Sequence, residues 1–235
     1  MTLARAHRDN WCTTRDNIVN ARIRYAKENT VRWFEKCVAA RESIGADLKA
    51  AWQYVLNRVR NTERTMDWGL LETSLVCETH RAMFGNNSFP TSMTPPGELS
   101  DRPRYSDLEG RARHWYPVPK DMSEALASLL DSYNTRYDSC RGRYDAELFR
   151  TCAWFLCHFL ALHPFADGNG RMAQLLCSYA MAQYHPFTVP VCDENDYLPS
   201  LLEAQSTGNL DALATCVASS VCRAWQIFDD FLRSP

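Results

Sequence analysis

The chain has 235 residues, enough for one well-buried domain with a small helical extension. Its 26 basic and 28 acidic residues leave a formal net charge of −2, which argues against a nucleic-acid surface or an anionic-membrane patch as the working face. The longest apolar run, Cys152 to Leu162, is interrupted by His158 and is too short to cross a bilayer.

Met1 is followed by the polar stretch TLARAHRDNW, which has no secretory pattern, so an intracellular, cytoplasmic setting is expected. The 10 cysteines include no CxxC pair and no Cys/His cluster with zinc spacing. Cys152, Cys157, Cys177, Cys216 and Cys222 lie in apolar helical stretches. Reduced thiols acting as small core residues are expected there.

Val and Ile are scarce while Ala and Leu abound, which favours helix over sheet. Residues 14 to 43 read as two charged amphipathic helical segments, broken near Glu28-Asn29-Thr30. Ser43-Ile44-Gly45 is a break, and Asp47 to Arg60 makes another helix. Residues 1–62 thus read as an N-terminal helical extension packed on a main domain of residues 63–235. That domain opens with a helix over Asp67 to Phe84, with Trp68, Leu71 and Leu75 on one face, closed by Gly85-Asn86-Asn87.

Six prolines between Pro90 and Pro119 exclude a long helix, and Arg111 to Val118 holds a short hairpin strand. Asp121-Met122-Ser123-Glu124 is a capping pattern with Asp in the capping role. Met122, Leu126, Leu129, Tyr133 and Tyr137 mark the helical stripe that follows. Glu147 to Leu162, too long for an ordinary strand, reads as a mostly buried helix, and Met172 to Tyr184 as a second apolar segment. Two further helices, Tyr197 to Ser206 and Leu210 to Phe228, are split by Thr207-Gly208-Asn209. The fold class expected is mainly α with a small β-hairpin.

Between the two apolar segments lies His163-Pro164-Phe165-Ala166-Asp167-Gly168-Asn169-Gly170-Arg171. An imidazole, a carboxylate, an amide and two glycines share one short loop. Gly168 and Gly170 would supply positive φ and let backbone N–H groups approach an anion. The next helix would aim its positive end at the same point, with Arg171 in its first turn. His163 is the candidate base, because a neutral imidazole is available near pH 7. Asp167 is the candidate magnesium ligand, with a helix-capping role as its alternative. Phe165 reads as a packing residue under the loop.

HPFADGNGR resembles the signature of Fic domains, HPFx[DE]GNGRxxR, at nine consecutive positions, with looser similarity from about Asp67 to Phe228. The resemblance implies a Fic-like helical catalytic domain and a protein adenylyltransferase. Such an enzyme moves AMP from Mg-ATP to a Ser, Thr or Tyr hydroxyl of a protein substrate. His163 would be the base, Asp167 would hold Mg2+, and Gly168, Asn169, Gly170 and Arg171 would bind the nucleotide phosphates. The segment from Gly97 to Pro119 resembles the family's flap, an edge strand that pins the target chain, and would place Trp115 and Tyr116 at the site.

One position departs from the pattern: the family's last arginine falls on Gln174. An uncharged amide cannot form a forked phosphate contact. This leaves two alternatives open, a Fic-type transferase of another phosphate-containing group and a weakly active nucleotide-binding module. The family's inhibitory [ST]xxxE[GN] helix is matched only in part, by Arg24 to Asn29. Glu28 is either a remnant of the inhibitory residue or a solvated helix charge. Gly168-x-Gly170-x-x-Ala173 also matches a dinucleotide fingerprint, with Asp193 near its acid position. That motif needs a preceding strand, and a long helix precedes here.

Overall fold

The computed structural model describes residues 50, 51, 53–55, 57, 69–85, 93–106, 114–182, 184, 185, 189, 191 and 196–233. Glu28, the helical breaks around it and the expected boundary near residue 62 lie outside the described residues. In chain order the elements are α1 (Thr73–Phe84), β1 (Arg104–Ser106), β2 (His114–Tyr116), α2 (Met122–Cys140), α3 (Ala146–Leu162), α4 (Asn169–Met181), α5 (Tyr197–Thr207) and α6 (Asp211–Arg233). A short helical stretch before α1 contributes the buried Ala51 and Val55 to the core.

The central element is α3. It packs against α2, α4, α5 and α6, as a helix that is apolar almost all round must. Leu148, Thr151, Cys152, Ala153, Phe155, Leu156, Cys157, Phe159 and Leu160 are buried. Only a narrow strip, with His158 and Ala161 exposed, faces outward. Asp145 starts the helix by accepting a hydrogen bond from the Glu147 N–H at 3.0 Å, which satisfies one of the four N-terminal donors. In α2, Asp121 does the same for the Glu124 N–H at 3.0 Å, as its capping pattern predicts. The buried face of α2 is Met122, Leu126, Leu130, Tyr133, Tyr137 and Cys140. Leu130 therefore takes the place expected for Leu129, which is only partly buried.

The helix expected from Asp67 begins later, at Thr73. Gly69 has φ +83°, and Leu71 is tied across the domain instead of within a helix. Its N–H donates to the Asn134 side-chain oxygen and its carbonyl accepts from the Asn134 amide, both at 2.9 Å. The Tyr133 hydroxyl donates to the Gly69 carbonyl at 3.0 Å. Long-range bonds from α2 have overridden local helical preference. Gly85 closes α1 as expected, with φ 53° and its N–H on the Arg81 carbonyl.

The two strands pair antiparallel, with Arg104 opposite Tyr116, Tyr105 opposite Trp115 and Ser106 opposite His114. Period-2 alternation puts Arg104, Ser106, His114 and Tyr116 on one face, and Tyr105 and Trp115 on the other. None of the described cysteines forms a disulfide, and Cys140, Cys152, Cys157, Cys177 and Cys216 are buried. Cys222 is exposed, not a core residue, because the α6 face it occupies turns away from the bundle.

A Cβ at Gly69 would overlap the Tyr137 ring, and the backbone there is left-handed. Gly69→Ala is therefore expected to lower stability by about 2–4 kcal/mol, combining backbone strain with overpacking. Urea unfolding checks this as a lower midpoint at an unchanged slope.

Candidate active site

Helix α3 ends at His163, the one non-glycine residue with positive φ among those described (φ 51°, ψ 59°). Its N–H donates to the Phe159 carbonyl at 2.9 Å. Its ring Nδ1 lies 3.3 Å from the Leu160 carbonyl. A carbonyl can only accept, so Nδ1 carries the proton and Nε2 keeps its lone pair. The Tyr116 ring stacks on the imidazole at 3.8 Å between centroids and 10° between planes. Burial pushes the His163 pKa down to about 4; the Leu160 bond opposes this, and the Arg104 guanidinium adds to it. The ring is thus neutral at physiological pH, with a base nitrogen available.

The loop after His163 is held by its own side chains. Phe165 is fully buried. Its N–H donates to the Asn169 side-chain oxygen at 3.0 Å, and its carbonyl accepts from the Asn169 amide at 2.8 Å. Asn169, 2 % exposed, therefore commits its amide to the loop and does not offer it to a phosphate oxygen. What it can offer is its backbone N–H, as the first residue of α4.

Gly168 caps α4 in the left-handed region, at φ 76° and ψ 5°. A Cβ there would come within 2.9 Å of the Phe84 ring, so only glycine fits by both conformation and space. The positive φ expected for Gly170 is absent. It is the second residue of α4, and a Cβ on it would meet nothing within 4 Å. Its missing side chain leaves the approach to the helix end open.

Unlike α2 and α3, α4 has no side-chain cap. Its first backbone bond runs from the Met172 N–H to the Gly168 carbonyl at 2.9 Å. The N–H groups of Asn169, Gly170 and Arg171 precede that bond and have no acceptor within the helix. Three donors and the positive end of the helix dipole thus converge on an open approach, as an anion requires. Arg171 lies beside them, with its guanidinium 5.0 Å from the centre of the Phe84 ring and 3.5 Å from Asp167 Oδ2.

Asp167 Oδ1 accepts the Gly168 N–H at 2.6 Å, and the side chain is 57 % exposed. Its carboxylate is a hard oxygen donor open to a cation. Among the described residues no group of three or more His, Cys, Asp or Glu could hold a metal. A cation here would need phosphate oxygens to complete its shell, which is how magnesium is commonly held. Gln174 stands one turn after Arg171 on α4 and is partly buried.

Two further residues position this loop. His80, 1 % exposed, accepts the Gly97 N–H on Nδ1 at 2.8 Å and so donates from Nε2 to the Asp167 carbonyl at 3.0 Å. Its ring stacks on Phe165 at 3.8 Å and 7°. Burial lowers its pKa to about 4, which keeps the tautomer this bridge needs. Arg104, 3 % exposed, donates to the carbonyls of Ser100, Arg102, Pro117 and Leu162 at 3.0–3.2 Å. His80 falls on the buried stripe of α1 with Leu75, Val76 and Met83, a polar residue at a core position that a sequence pattern can flag. A single arginine in a proline-rich segment carries no such signal.

Of the two aromatic residues expected at the site, the strand alternation admits one. Tyr116 lies against His163, with its hydroxyl 3.0 Å from Ser106 Oγ. Trp115 is on the opposite face, 57 % exposed and tilted against Tyr105 at 5.2 Å. Behind Tyr116 a cavity of about 680 Å3 is lined by Trp154, Cys157, His158, Arg136 and Gln205 among others, within the size range of small-molecule sites.

Helix α3 thus ends on a partly buried, neutral imidazole, and α4 begins on a glycine cap with three N–H groups that lack a helical acceptor. Residues 70–181 match the model of the Fic/DOC family, which marks this segment as a Fic-type domain. It is 33 % identical over 88 residues to a Fido domain-containing protein of Dictyostelium discoideum, covering 37 % of this chain and 59 % of that one. It is 24 % identical over 175 residues to a protein of Ostreid herpesvirus 1 named ribonucleoside-diphosphate reductase small chain, covering 72 % of this chain and 28 % of that one. The chain thus spans less than two thirds of either relative.

Three solved structures share the fold. A Fic domain-containing signaling protein from Bacteroides thetaiotaomicron has a TM-score of 0.56 at 20 % identity, over 78 % of this chain and 71 % of that one. IbpAFic2 covalently tethered to Cdc42 has 0.54 at 14 %, over 84 % and 62 %. BepC of Bartonella tribocorum with bound AMPPNP has 0.50 at 14 %, over 79 % and 84 %.

His80, His163 and His185 are all held with pKa values of about 4, chiefly by burial, whereas an unfolded histidine titrates near 6.5. The stability they contribute is fully present above about pH 6.5 and is lost as pH falls towards 4, where the folded rings also protonate. Each of the two most buried, His80 and His185 at 1 % and 7 % exposure, is expected to account for about 1–3 kcal/mol. Denaturant midpoints measured from pH 7.5 to 4.5 check this. A flat profile across that window would contradict the buried neutral rings.

Proposed function

We propose that the chain is a protein adenylyltransferase that transfers AMP from Mg-ATP to a Ser, Thr or Tyr hydroxyl of a protein substrate. The observation that carries this reading is the pairing of a neutral imidazole, with Nε2 unprotonated, and an uncapped helix N-terminus six residues later. The hydroxyl gives its proton to His163 Nε2 as its oxygen attacks the α-phosphorus. The bond from the α-phosphorus to the bridging oxygen breaks, and pyrophosphate leaves. The backbone N–H groups of Asn169, Gly170 and Arg171, with the Arg171 guanidinium, take the phosphate charge. Asp167 would hold magnesium, which when bound supplies further neutralisation of that charge. Arg171 would then exchange its contact with Asp167 for phosphate.

The hairpin β1–β2 leaves a strand edge on which an extended target segment can pair by main-chain bonds. The AMPPNP bound to BepC and the Cdc42 tethered to IbpAFic2 support a nucleotide and a protein as the two substrates. His163→Ala is expected to abolish label transfer from α-labelled ATP while ATP affinity stays within a few-fold, since the base acts on the hydroxyl. Radiolabel transfer at the parent rate would contradict the assignment.

Gln174 favours a second reading, in which another phosphate-containing group is moved. The family pattern places an arginine there, and its charge-assisted phosphate bond is worth about 1.5–3 kcal/mol. Gln174→Arg is expected to tighten ATP more than ADP or AMP, because the restored fork reaches the distal phosphates. Titration calorimetry with the three nucleotides checks this. Three unchanged affinities would show that position 174 does not address the phosphates.

A further inference from the structure

We propose that Arg104 is a positioning residue that locks the Leu162–His163 peptide unit, and with it the catalytic imidazole, to both arms of the flap. This rests on the reading of His163 as the base. The Leu162 carbonyl and the His163 N–H belong to one rigid peptide plane. The N–H end is fixed by the Phe159 carbonyl at 2.9 Å. The carbonyl end is fixed by Arg104 Nη2 at 3.2 Å. With both ends held, the plane cannot rotate, and His163 stays in a left-handed conformation that a residue with a Cβ rarely adopts.

The same guanidinium holds the flap. Nη1 binds the carbonyls of Ser100 and Arg102 ahead of β1, and Nη2 binds Pro117 just after β2. Tyr116, the cross-strand partner of Arg104, stacks on the imidazole. A second tie runs in parallel, from the Ser100 N–H to the Pro164 carbonyl at 2.8 Å. The flap and the end of α3 are therefore joined by the Arg104 side chain, with this main-chain bond beside it.

Arg104 is also a cation whose hydrogen-bond partners are all backbone carbonyls among the described residues, one of them at the negative end of α3. A buried charge of this kind is unfavourable unless its hydrogen bonds are well formed. A merely space-filling role would be met by an apolar side chain of the same length. The charged groups facing His163 are Arg104 from β1, His114 from β2 and Asp167 from the loop. Of these, Arg104 and His114 disfavour its protonation and Asp167 favours it.

The test separates the fork from the charge, and neither readout requires turnover, so it stands apart from the success of the transfer reading. Arg104→Met removes both, and Arg104→Lys keeps the charge but cannot span four carbonyls. Histidine side-chain NMR, with His163 assigned from His163→Gln, gives the titration of the imidazole. Amide hydrogen exchange gives the protection of the His163 N–H. The Met variant is expected to raise the proton affinity of His163 by about tenfold and to lose about tenfold or more of its amide protection. The Lys variant is expected to keep the parent titration and lose the protection. Should the Met variant fail to fold, the Lys variant alone decides, because parent-like protection in it overturns the role of the fork. Parent titration together with parent protection in the Met variant overturns the proposal entirely.

Discussion

The candidate active site depends on a backbone conformation. His163 occupies the left-handed region with a Cβ attached, which costs about 1–2 kcal/mol relative to an ordinary helical residue. The surrounding structure holds it there through the Phe159 and Leu160 carbonyls, the stacked Tyr116 ring and the buried Arg104. Because the chain turns at this residue and not beyond it, the imidazole stands at the end of α3 while the next residues swing back to start α4. The imidazole and the uncapped start of α4 lie six residues apart across that turn. A glycine at the turn would relieve the strain and remove the base.

The cradle follows from a second local choice. Asn169 spends its side chain on Phe165, which closes the loop on itself and leaves α4 without a side-chain cap. Phe165 is pinned beneath by the His80 ring, and His80 in turn ties the Asp167 carbonyl to Gly97 at the base of the flap. The buried side chains of His80 and Asn169 both have partners, so the loop is held firmly. In the proposed reaction, preorganisation of this kind would let the helix end meet developing charge without rearrangement.

Much of this architecture is legible in the residues. The all-round apolar character of Glu147 to Leu162 marks the central helix, and Asp121 with Glu124 marks the start of α2. The loop HPFADGNGR marks a Fic-type domain through its resemblance to that family's signature. Other features depend on contacts far apart in sequence. The start of α1 shifted because Tyr133 and Asn134 bind Gly69 and Leu71 from more than 60 residues away, which no local pattern encodes. Asn169 shows an amide in the right loop without showing that Phe165 claims it. Tyr116 and Trp115 could have been separated by strand alternation, had the register with Arg104 been known. His80 shows as a polar residue on the apolar stripe of α1, whereas Arg104 becomes visible only when the flap is folded back onto the end of α3.

In the proposed reaction a nucleotide moves from ATP onto a protein hydroxyl, and the mass of the product identifies the group transferred. A lysate incubated with the purified chain and magnesium-ATP, then digested and analysed by mass spectrometry, should contain peptides carrying an added AMP on Ser, Thr or Tyr. Those peptides should be missing when His163→Ala replaces the parent. An adduct of phosphoryl mass, or an AMP adduct formed equally by the His163→Ala variant, would contradict the account.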